Sequence, residues 1–232
     1  TTPTEELHTQ HGDLIGYNYF TNKQKVDYEN AFTATFQIAL NNAPNVTTQV
    51  WMAGTKNRTL FTAQSPRART IAHGSAPKEL HDDPVPVLIV RQKGQAWSKP
   101  FIGVFESFSE PHEASISNIE TWSGEGDFVG LKIETPKLNN RTEYLFNDTA
   151  IEKMNTVNNM QFQGVFGVVS TNDNGLQYLY LGHGKHLSAH GFKIDAQEPI
   201  SACIYQKEGQ YYLSTTGFIR VQTPTSTHTW QA

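Results

Sequence analysis

The sequence contains a single cysteine, Cys203, so no internal disulfide can form. Cys203 lies in an apolar stretch, where a buried and unreactive thiol is expected. The sequence also lacks an apolar run of about 18 residues, the length that a membrane-spanning helix requires, so we expect no membrane contact. The first residues have neither the basic segment nor the apolar core of a signal peptide. We therefore expect either that a signal was removed or that the chain is a piece of a longer protein.

Charged residues are scarce, at 17% of the chain, and residues 30–78 contain no Asp or Glu. A basic segment in a protein of net charge −4 can concentrate an anionic ligand, or it can be ordinary solvated surface. No recognised nucleic-acid-binding motif accompanies the charge, so nucleic acid is not an expected partner. The basic residues of this segment are Lys56, Arg58, Arg67, Arg69 and Lys78.

Short segments of alternating polarity are abundant. Residues Phe32–Leu40 alternate apolar side chains with Thr and Gln, as a half-buried antiparallel strand does. Similar segments follow, separated by turns rich in Gly, Asn and Asp. The pattern predicts an all-β fold, an antiparallel β-sandwich of two sheets, with room for one short helix at Thr149–Asn158. The further predicted strands are Thr47–Met52, Thr59–Ala63, Val85–Val90, Ala114–Trp122, Phe128–Thr135, Arg141–Asn147, Met160–Ser170, Gln177–Gly182, Ile200–Gln206, Tyr211–Thr215 and Ile219–Thr223.

Two features bear on how the strands are organised. Lys93-Gly94 lies between two apolar runs and predicts a tight hairpin that joins Val85–Val90 to a strand around Ile102–Phe105. Residues 64–84, rich in Ser, Pro, Ala and Gly, predict a long surface loop. We interpret residues 1–232 as one β-sandwich domain, with a subdivision into two sub-sandwiches near residues 106–114 as an alternative.

Two histidine-rich stretches could carry chemistry. His8, His11 and Asp13 lie close together near the start of the chain, where they could serve a metal ion, proton transfer or a polar loop. His183, His186 and His190 have the spacing of metal ligands on a helix, but Gly182, Gly184 and Gly191 argue against a helix. A surface turn is therefore the favoured interpretation of that stretch, and a metal site is the alternative.

Residues Val87–Glu106, "VLIVRQKGQAWSKPFIGVFE", resemble the late β-sandwich region of the heparinase II/III-like polysaccharide lyases. Other segments with the same resemblance follow the order found in that family, so that the similarity spans nearly the whole chain. These segments are Asp27–Leu40, "DYENAFTATFQIAL"; Gln49–Pro66, "QVWMAGTKNRTLFTAQSP"; Ser115–Glu120; Gly130–Ile133; and Tyr180–Leu187, "YLGHGKHL", which resembles a Leu-Gly-Xaa-Gly turn.

The resemblance implies an enzyme that pairs an N-terminal helical toroid with a C-terminal β-sandwich of the supersandwich type. Such enzymes cleave uronate-containing polysaccharides by β-elimination: donors neutralise the carboxylate, a Tyr or His removes the C5 proton, and a Tyr protonates the departing oxygen. The resemblance makes His11, Tyr17 and Tyr19 candidate catalytic residues. Basic side chains are the candidates for contact with an anionic glycan, because guanidinium and ammonium groups match carboxylate or sulfate. They are Lys56, Arg58, Arg67 and Arg69.

The sequence has no helical toroid, so we expect the isolated chain not to catalyse elimination. The resemblance predicts instead a module that forms one wall of the substrate cleft and supports the toroid of the same parent chain. Its expected ligand is an anionic polysaccharide, its expected location is secreted or periplasmic, and no cofactor is expected beyond a structural divalent metal in the parent enzyme. A non-catalytic carbohydrate-binding or structural β-sandwich is the alternative.

Overall fold

The computed structural model describes residues 1–4, 19–39, 42–65, 84–95, 100–124, 126–225 and 227–230, the last range by its backbone alone. It confirms the predicted fold class, since antiparallel sheets make up nearly all of the regular structure. No helix in these ranges could cross a membrane. The chain divides into two compact units, Thr1–His112 (unit 1) and Glu113–Ala232 (unit 2).

Unit 1 contains a four-stranded sheet of order β1-β2-β5-β6 and a three-stranded sheet of order β3-β4-β7. Phe61 on β5 is 1% exposed and packs with Ala63, Phe20 and Ile89. Alternating polarity explains β3, in which Phe32, Ala34 and Phe36 are partly buried and the intervening Thr and Gln side chains are exposed. The strands are β1 (Thr2–Pro3), β2 (Thr21–Asp27), β3 (Phe32–Ile38), β4 (Val46–Met52), β5 (Arg58–Gln64), β6 (Pro86–Gln92) and β7 (Gly103–Ser109).

The predicted hairpin at Lys93-Gly94 is wrong. Gly94 has a φ of 125°, so the chain does turn there, but β6 pairs with β5 and β7 pairs with β4 in the other sheet. The two apolar runs therefore belong to different sheets. A hairpin and a crossover between sheets share the same local signal, and only the register of the distant partners distinguishes them.

Unit 2 is built on one ten-stranded antiparallel sheet, in which β17-β16-β14-β13-β12-β10-β9-β8 form the main order. Strand β11 pairs with β12, and β15 pairs with β14. The strands are β8 (Asn118–Ser123), β9 (Val129–Thr135), β10 (Arg141–Asn147), β11 (Asn155–Val157), β12 (Met160–Asn172), β13 (Gly175–Ala189), β14 (Phe192–Lys207), β15 (Gln210–Thr215), β16 (Ile219–Gln222) and β17 (Thr227–Trp230).

The long strands β12 and β13 have bulges where glycines face each other. Register shifts fall between Gln163 and Gly164 and around Gly184, and a Cβ on Gly184 would lie 2.6 Å from the Gln163 carbonyl oxygen. Bulges of this kind bend strands, so both halves of β12, β13 and β14 contribute to one apolar core. Its fully enclosed side chains include Val169, Leu179, Leu181, Leu187 and Ile194.

Two local predictions in unit 2 are wrong. Thr149–Asn158 is not a helix: it forms turns and then the short strand β11, because the buried carboxylate of Asp148 accepts hydrogen bonds from the Ala150 backbone N–H and the Asn155 amide. Most of the predicted surface turn at His183–His190 is instead the second half of β13, which ends at Ala189 and is paired on both sides, and only His190 lies in a turn. The division into units falls between residues 112 and 113.

Candidate functional site

A groove in unit 2 forms where β14 exchanges one neighbour for another. Residues Lys193–Asp195 pair with β16, whereas Ala202–Lys207 pair with β15. The stretch between them pairs with neither strand on that side, although Ser201 is hydrogen-bonded to Thr216 in the connection from β15 to β16. The resulting groove has a volume of about 690 Å³, a size that suits a small ligand or one segment of a polymer.

The groove combines an aromatic ring with groups that can bind sugars. Phe218 is 65% exposed, so its ring can stack on the apolar face of a pyranose. Arg220 lies directly across from Asp195 on the neighbouring strand and offers a guanidinium for a carboxylate or sulfate. Gln197 and Glu198 add hydrogen-bonding groups at the exposed bend of β14.

A chain of polar side chains runs from the groove into the sheet. His186 is 6% exposed, and its Nδ1 lies 2.6 Å from Asp195 Oδ1, while its Nε2 lies 3.3 Å from Ser188 Oγ. The ammonium of Lys193 lies 2.8 Å from the other Asp195 oxygen. The order carboxylate, imidazole, hydroxyl is that of a serine hydrolase triad. Because the imidazole is buried, we assign these groups a structural role, in which they hold β13 against β14.

The three histidines proposed as alternative metal ligands do not converge. His183 is exposed, and its backbone N–H donates to the Ser201 hydroxyl oxygen at 3.3 Å. His186 is hydrogen-bonded to Asp195 and Ser188, and the ring of His190 lies against Tyr144. Across the ranges that the structure describes, no three His, Cys, Asp or Glu side chains come close enough to hold a metal ion.

Arg58 is 2% exposed and turned inward in unit 1. Its Nε donates to the Tyr28 carbonyl oxygen at 2.9 Å, and its two terminal nitrogens donate to the carbonyl oxygens of Ala53 and Asn30. The guanidinium also lies 5.0 Å from the centre of the Phe32 ring, and burial lowers its pKa. Arg58 thus connects β5 to the ends of the strands in the other sheet, and in this conformation its donors are not presented to a glycan.

The other predicted site residues are placed as follows. Lys56 is exposed in the turn between β4 and β5, and Tyr19 is 61% exposed just before β2. His11, Tyr17, Arg67 and Arg69 lie outside the described residues, as does most of the predicted loop 64–84. The proposed catalytic and glycan-contact roles of these residues stay predictions.

Sequence reasoning missed Phe218 and Arg220. The available signal was weak: an aromatic residue after Ser214-Thr215-Thr216-Gly217, a stretch typical of a turn, and a basic residue that alternates with the buried Ile219 and Val221. An aromatic side chain in a turn between two strands is not covered by the sheet, so its exposure could have been expected.

A strip of aromatic rings covers the side of the sheet opposite the core. Tyr178, Tyr205 and Tyr212 face one another across β13, β14 and β15, and the rings of Tyr205 and Tyr212 stack at 5.5 Å. Burial raises the pKa of Tyr178 to about 12, with a further contribution from its hydrogen bond to Cys203. Burial also raises the pKa of the Cys203 thiol, which is partly exposed rather than buried as expected. Both groups are therefore protonated at neutral pH.

Residues 116–206, which span most of unit 2, match the family model described as "Endo-acting ulvan lyase C-terminal domain". The chain is also 28% identical over 211 residues to the "Endo-acting ulvan lyase" of Formosa agariphila. That alignment covers 87% of this chain and 25% of the relative, so the chain spans about a quarter of the length of the relative it matches. No solved structure matches the chain. These matches support the predicted resemblance to a polysaccharide lyase, though not the heparinase II/III-like assignment, and the chain is similar to the C-terminal domain of endo-acting ulvan lyases.

Proposed function

We propose that the chain is the C-terminal β-sandwich module of a polysaccharide lyase that cleaves ulvan, an anionic uronate-containing polysaccharide, by β-elimination. The observation that carries this proposal is the match of residues 116–206 to the C-terminal domain model. This range contains β8 to β13 and most of β14, and so one side of the groove. The module binds the polysaccharide, and the rest of the parent enzyme supplies the groups that remove and return protons.

The groove supplies the chemistry for binding an anionic sugar chain. A guanidinium pairs with a carboxylate or sulfate through two parallel hydrogen bonds, and Arg220 offers one at the groove. The Asp195 carboxylate across from it is paired with the Lys193 ammonium at 2.8 Å, which reduces its repulsion of an anionic sugar. Phe218 offers a ring face to the neighbouring sugar, and Gln197 can exchange hydrogen bonds with hydroxyl groups. Lys56 in unit 1 is a second candidate contact for the anionic chain, as proposed from the sequence.

The proposal includes a helical toroid in the same parent chain, a heparinase II/III-like lineage, and a location that is secreted or periplasmic. The relative is about four times as long as the stretch it shares with this chain, which leaves room for such a domain. In this arrangement the sandwich forms one wall of the substrate cleft. A tyrosine or histidine of the toroid then acts as the base, and His11, Tyr17 and Tyr19 are the residues of this chain to test beside it.

The test measures binding and cleavage separately. We expect the isolated chain to bind ulvan in isothermal titration calorimetry and to produce no ultraviolet absorbance of unsaturated uronate. Arg220→Ala should weaken binding about tenfold, the equivalent of ~1.4 kcal/mol for one charge-assisted contact. Phe218→Ala should weaken it by a similar factor.

Lys207→Ala is the matched control for Arg220→Ala, because it removes one exposed positive charge at the far end of β14. If both variants lose affinity for ulvan equally, the polysaccharide is attracted nonspecifically by positive charge, and the groove is not the binding site. Turnover by the isolated chain would contradict the assignment of catalysis to the rest of the parent enzyme. A chain that binds no ulvan at all would favour the structural alternative.

A further inference from the structure

Unit 2 has a second pocket, which shares no lining residue with the groove. It is enclosed by the end of β12, the turn between β13 and β14, strand β15 and the residues that follow β16, and its volume is about 530 Å³. This volume is within the range of about 300–1,000 Å³ that is usual for small-ligand sites. The side chains that define its character are Thr171, Asn172, His190, Phe192, Tyr211 and Thr225.

Tyr211 provides an aromatic surface that is fixed before a ligand arrives. Its ring packs against Phe192 at 4.8 Å between centres, and its hydroxyl donates to the Leu176 carbonyl oxygen at 3.3 Å. The residue nevertheless remains 43% exposed, so part of the ring is open to solvent. A ring held in place at both ends loses little conformational freedom on binding, which favours affinity.

His190 is presented by a tight turn. It has a φ of 51° and the next residue, Gly191, has a φ of 82°, while Ala189 and Phe192 pair directly across the hairpin. Two residues with positive φ in a two-residue hairpin form a type I′ turn, which has a well-defined geometry. The imidazole can therefore donate or accept a hydrogen bond from a fixed position at the edge of the pocket.

The described side chains that line the pocket include no carboxylate, ammonium or guanidinium group. Among the described residues that line it, the polar side chains are hydroxyls, an amide, a phenol and one imidazole. Thr223 and Thr225 place their hydroxyl oxygens 3.4 Å apart beside this opening. The nearby carboxylate of Asp173 accepts two hydrogen bonds of 3.0 Å from the Asn140 amide. An accessible aromatic ring surrounded by hydroxyl, amide and imidazole groups complements a pyranose, which has an apolar face and a rim of hydroxyl groups.

We propose that this pocket is a saccharide-binding site that holds one sugar residue of a glycan chain by stacking on Tyr211 and by hydrogen bonds from His190 and Asn172. The site takes no part in elimination, and it gives unit 2 a second attachment point beside the groove. Two linked contacts on one polymer raise the overall affinity above that of either contact alone. The choice of ulvan as the glycan rests on the proposed function, whereas the site itself does not.

The experiment is a titration of the isotope-labelled 232-residue chain with ulvan oligosaccharides from partial acid hydrolysis, followed by nuclear magnetic resonance. We expect chemical-shift changes at Asn172, His190 and Tyr211. Tyr211→Ala should weaken the binding measured at these signals by about tenfold, while Tyr211→Phe, which keeps the ring, should retain it. His190→Asn should also weaken it, and asparagine tolerates the positive φ of that position.

The matched control is Tyr212→Ala. Tyr212 follows Tyr211 on the same strand, is exposed to a similar extent at 40%, and belongs to the aromatic strip on the opposite side of the sheet. Each variant loses one ring contact, and thermal unfolding checks that both remain folded. If Tyr212→Ala weakens binding and Tyr211→Ala does not, the sugar binds the strip and the pocket proposal is wrong.

The same titration separates the pocket from the proposed function. Chemical-shift changes confined to residues 195–200 and 217–220 would contradict the pocket proposal but would remain consistent with the proposed ulvan-lyase module. Changes in the pocket with oligosaccharides of alginate or chondroitin, but none with those of ulvan, would support the pocket and contradict the choice of ulvan. An absence of changes with all three glycans would overturn both proposals.

Discussion

At the scale of single residues, Arg58 has the clearest role. Replacing it with Met keeps much of its volume but removes the donors to the carbonyl oxygens of Tyr28, Ala53 and Asn30. The bond to Ala53 is buried and the other two are partly buried, so water can reach the Tyr28 and Asn30 acceptors when the donors are removed. A buried acceptor left without a donor costs about 1–3 kcal/mol, so we expect Arg58→Met to lower the free energy of unfolding by about 2 kcal/mol. Urea unfolding of the whole chain, followed by circular dichroism, measures this change.

Lys56→Ala is the control for Arg58→Met, because Lys56 lies two residues away in the exposed turn. A surface substitution of this kind usually changes stability by no more than about 0.5 kcal/mol. If Arg58→Met lowers the free energy of unfolding as little as the control does, the guanidinium does not stabilise the contact between the two sheets of unit 1. Loss of ulvan binding at unchanged stability would instead favour the glycan contact predicted from the sequence.

Arg58 also shows what residue type alone does not reveal. The absence of acidic residues in 30–78 suggested a surface for anions, yet one of its basic side chains satisfies backbone carbonyls in the interior. Its partners lie 28 and 30 residues away for Asn30 and Tyr28, and sequence gives no local sign of such contacts. Alternation places a side chain on a face, but burial depends on what covers that face.

At the scale of elements, the strands were predictable and their partners were not. Arg141–Asn147 has the predicted bounds, because alternation with period two is a local property. Strands β13 and β14 extend well beyond the predicted Gln177–Gly182 and Ile200–Gln206. The glycines and polar residues that seemed to end them are instead bulges and bends within continuous strands, which only pairing with neighbours reveals.

The bend of β13 gives a prediction at this scale. A methyl group on Gly184 would approach the Gln163 carbonyl oxygen to 2.6 Å and the Gly164 Cα to 2.8 Å, and neither backbone atom can move alone. We expect Gly184→Ala to separate β12 from β13 locally and to lower the melting temperature, with a loss of about 2 kcal/mol or more in the free energy of unfolding. Differential scanning calorimetry measures both quantities.

Gly182→Ala, two residues earlier on the same strand, is the comparison. There the nearest atoms belong to the ring of Tyr180, at 3.0 and 3.1 Å, and this side chain can shift slightly. The loss in the free energy of unfolding should therefore be clearly smaller for Gly182→Ala than for Gly184→Ala. Equal losses would mean that any side chain is tolerated poorly along this strand, and that the close approach of the two glycines is not the cause.

At the scale of the whole molecule, the two openings proposed as saccharide sites belong to unit 2, whereas the described candidates Tyr19 and Lys56 lie in unit 1. The groove and the pocket both use β14 and the strands beside it, and the matched range 116–206 lies in the same unit. Each opening occurs where a regular strand changes partner or turns. The sequence could indicate the sheet but not these openings, because they arise from strands that are distant along the chain, such as β12 and β15 around the pocket.

We expect unit 2 to fold without unit 1. Its core contains 16 buried apolar residues, whereas the described core cluster of unit 1 around Phe61 contains two. A unit with its own core should unfold cooperatively, so we expect a fragment of residues 113–232 to show a single sigmoidal urea transition and to retain saccharide binding. A fragment of residues 1–112 is the comparison and should be less stable. A fragment 113–232 without a cooperative transition would show that its core needs residues of unit 1, and the division at His112 would then not mark an independent domain.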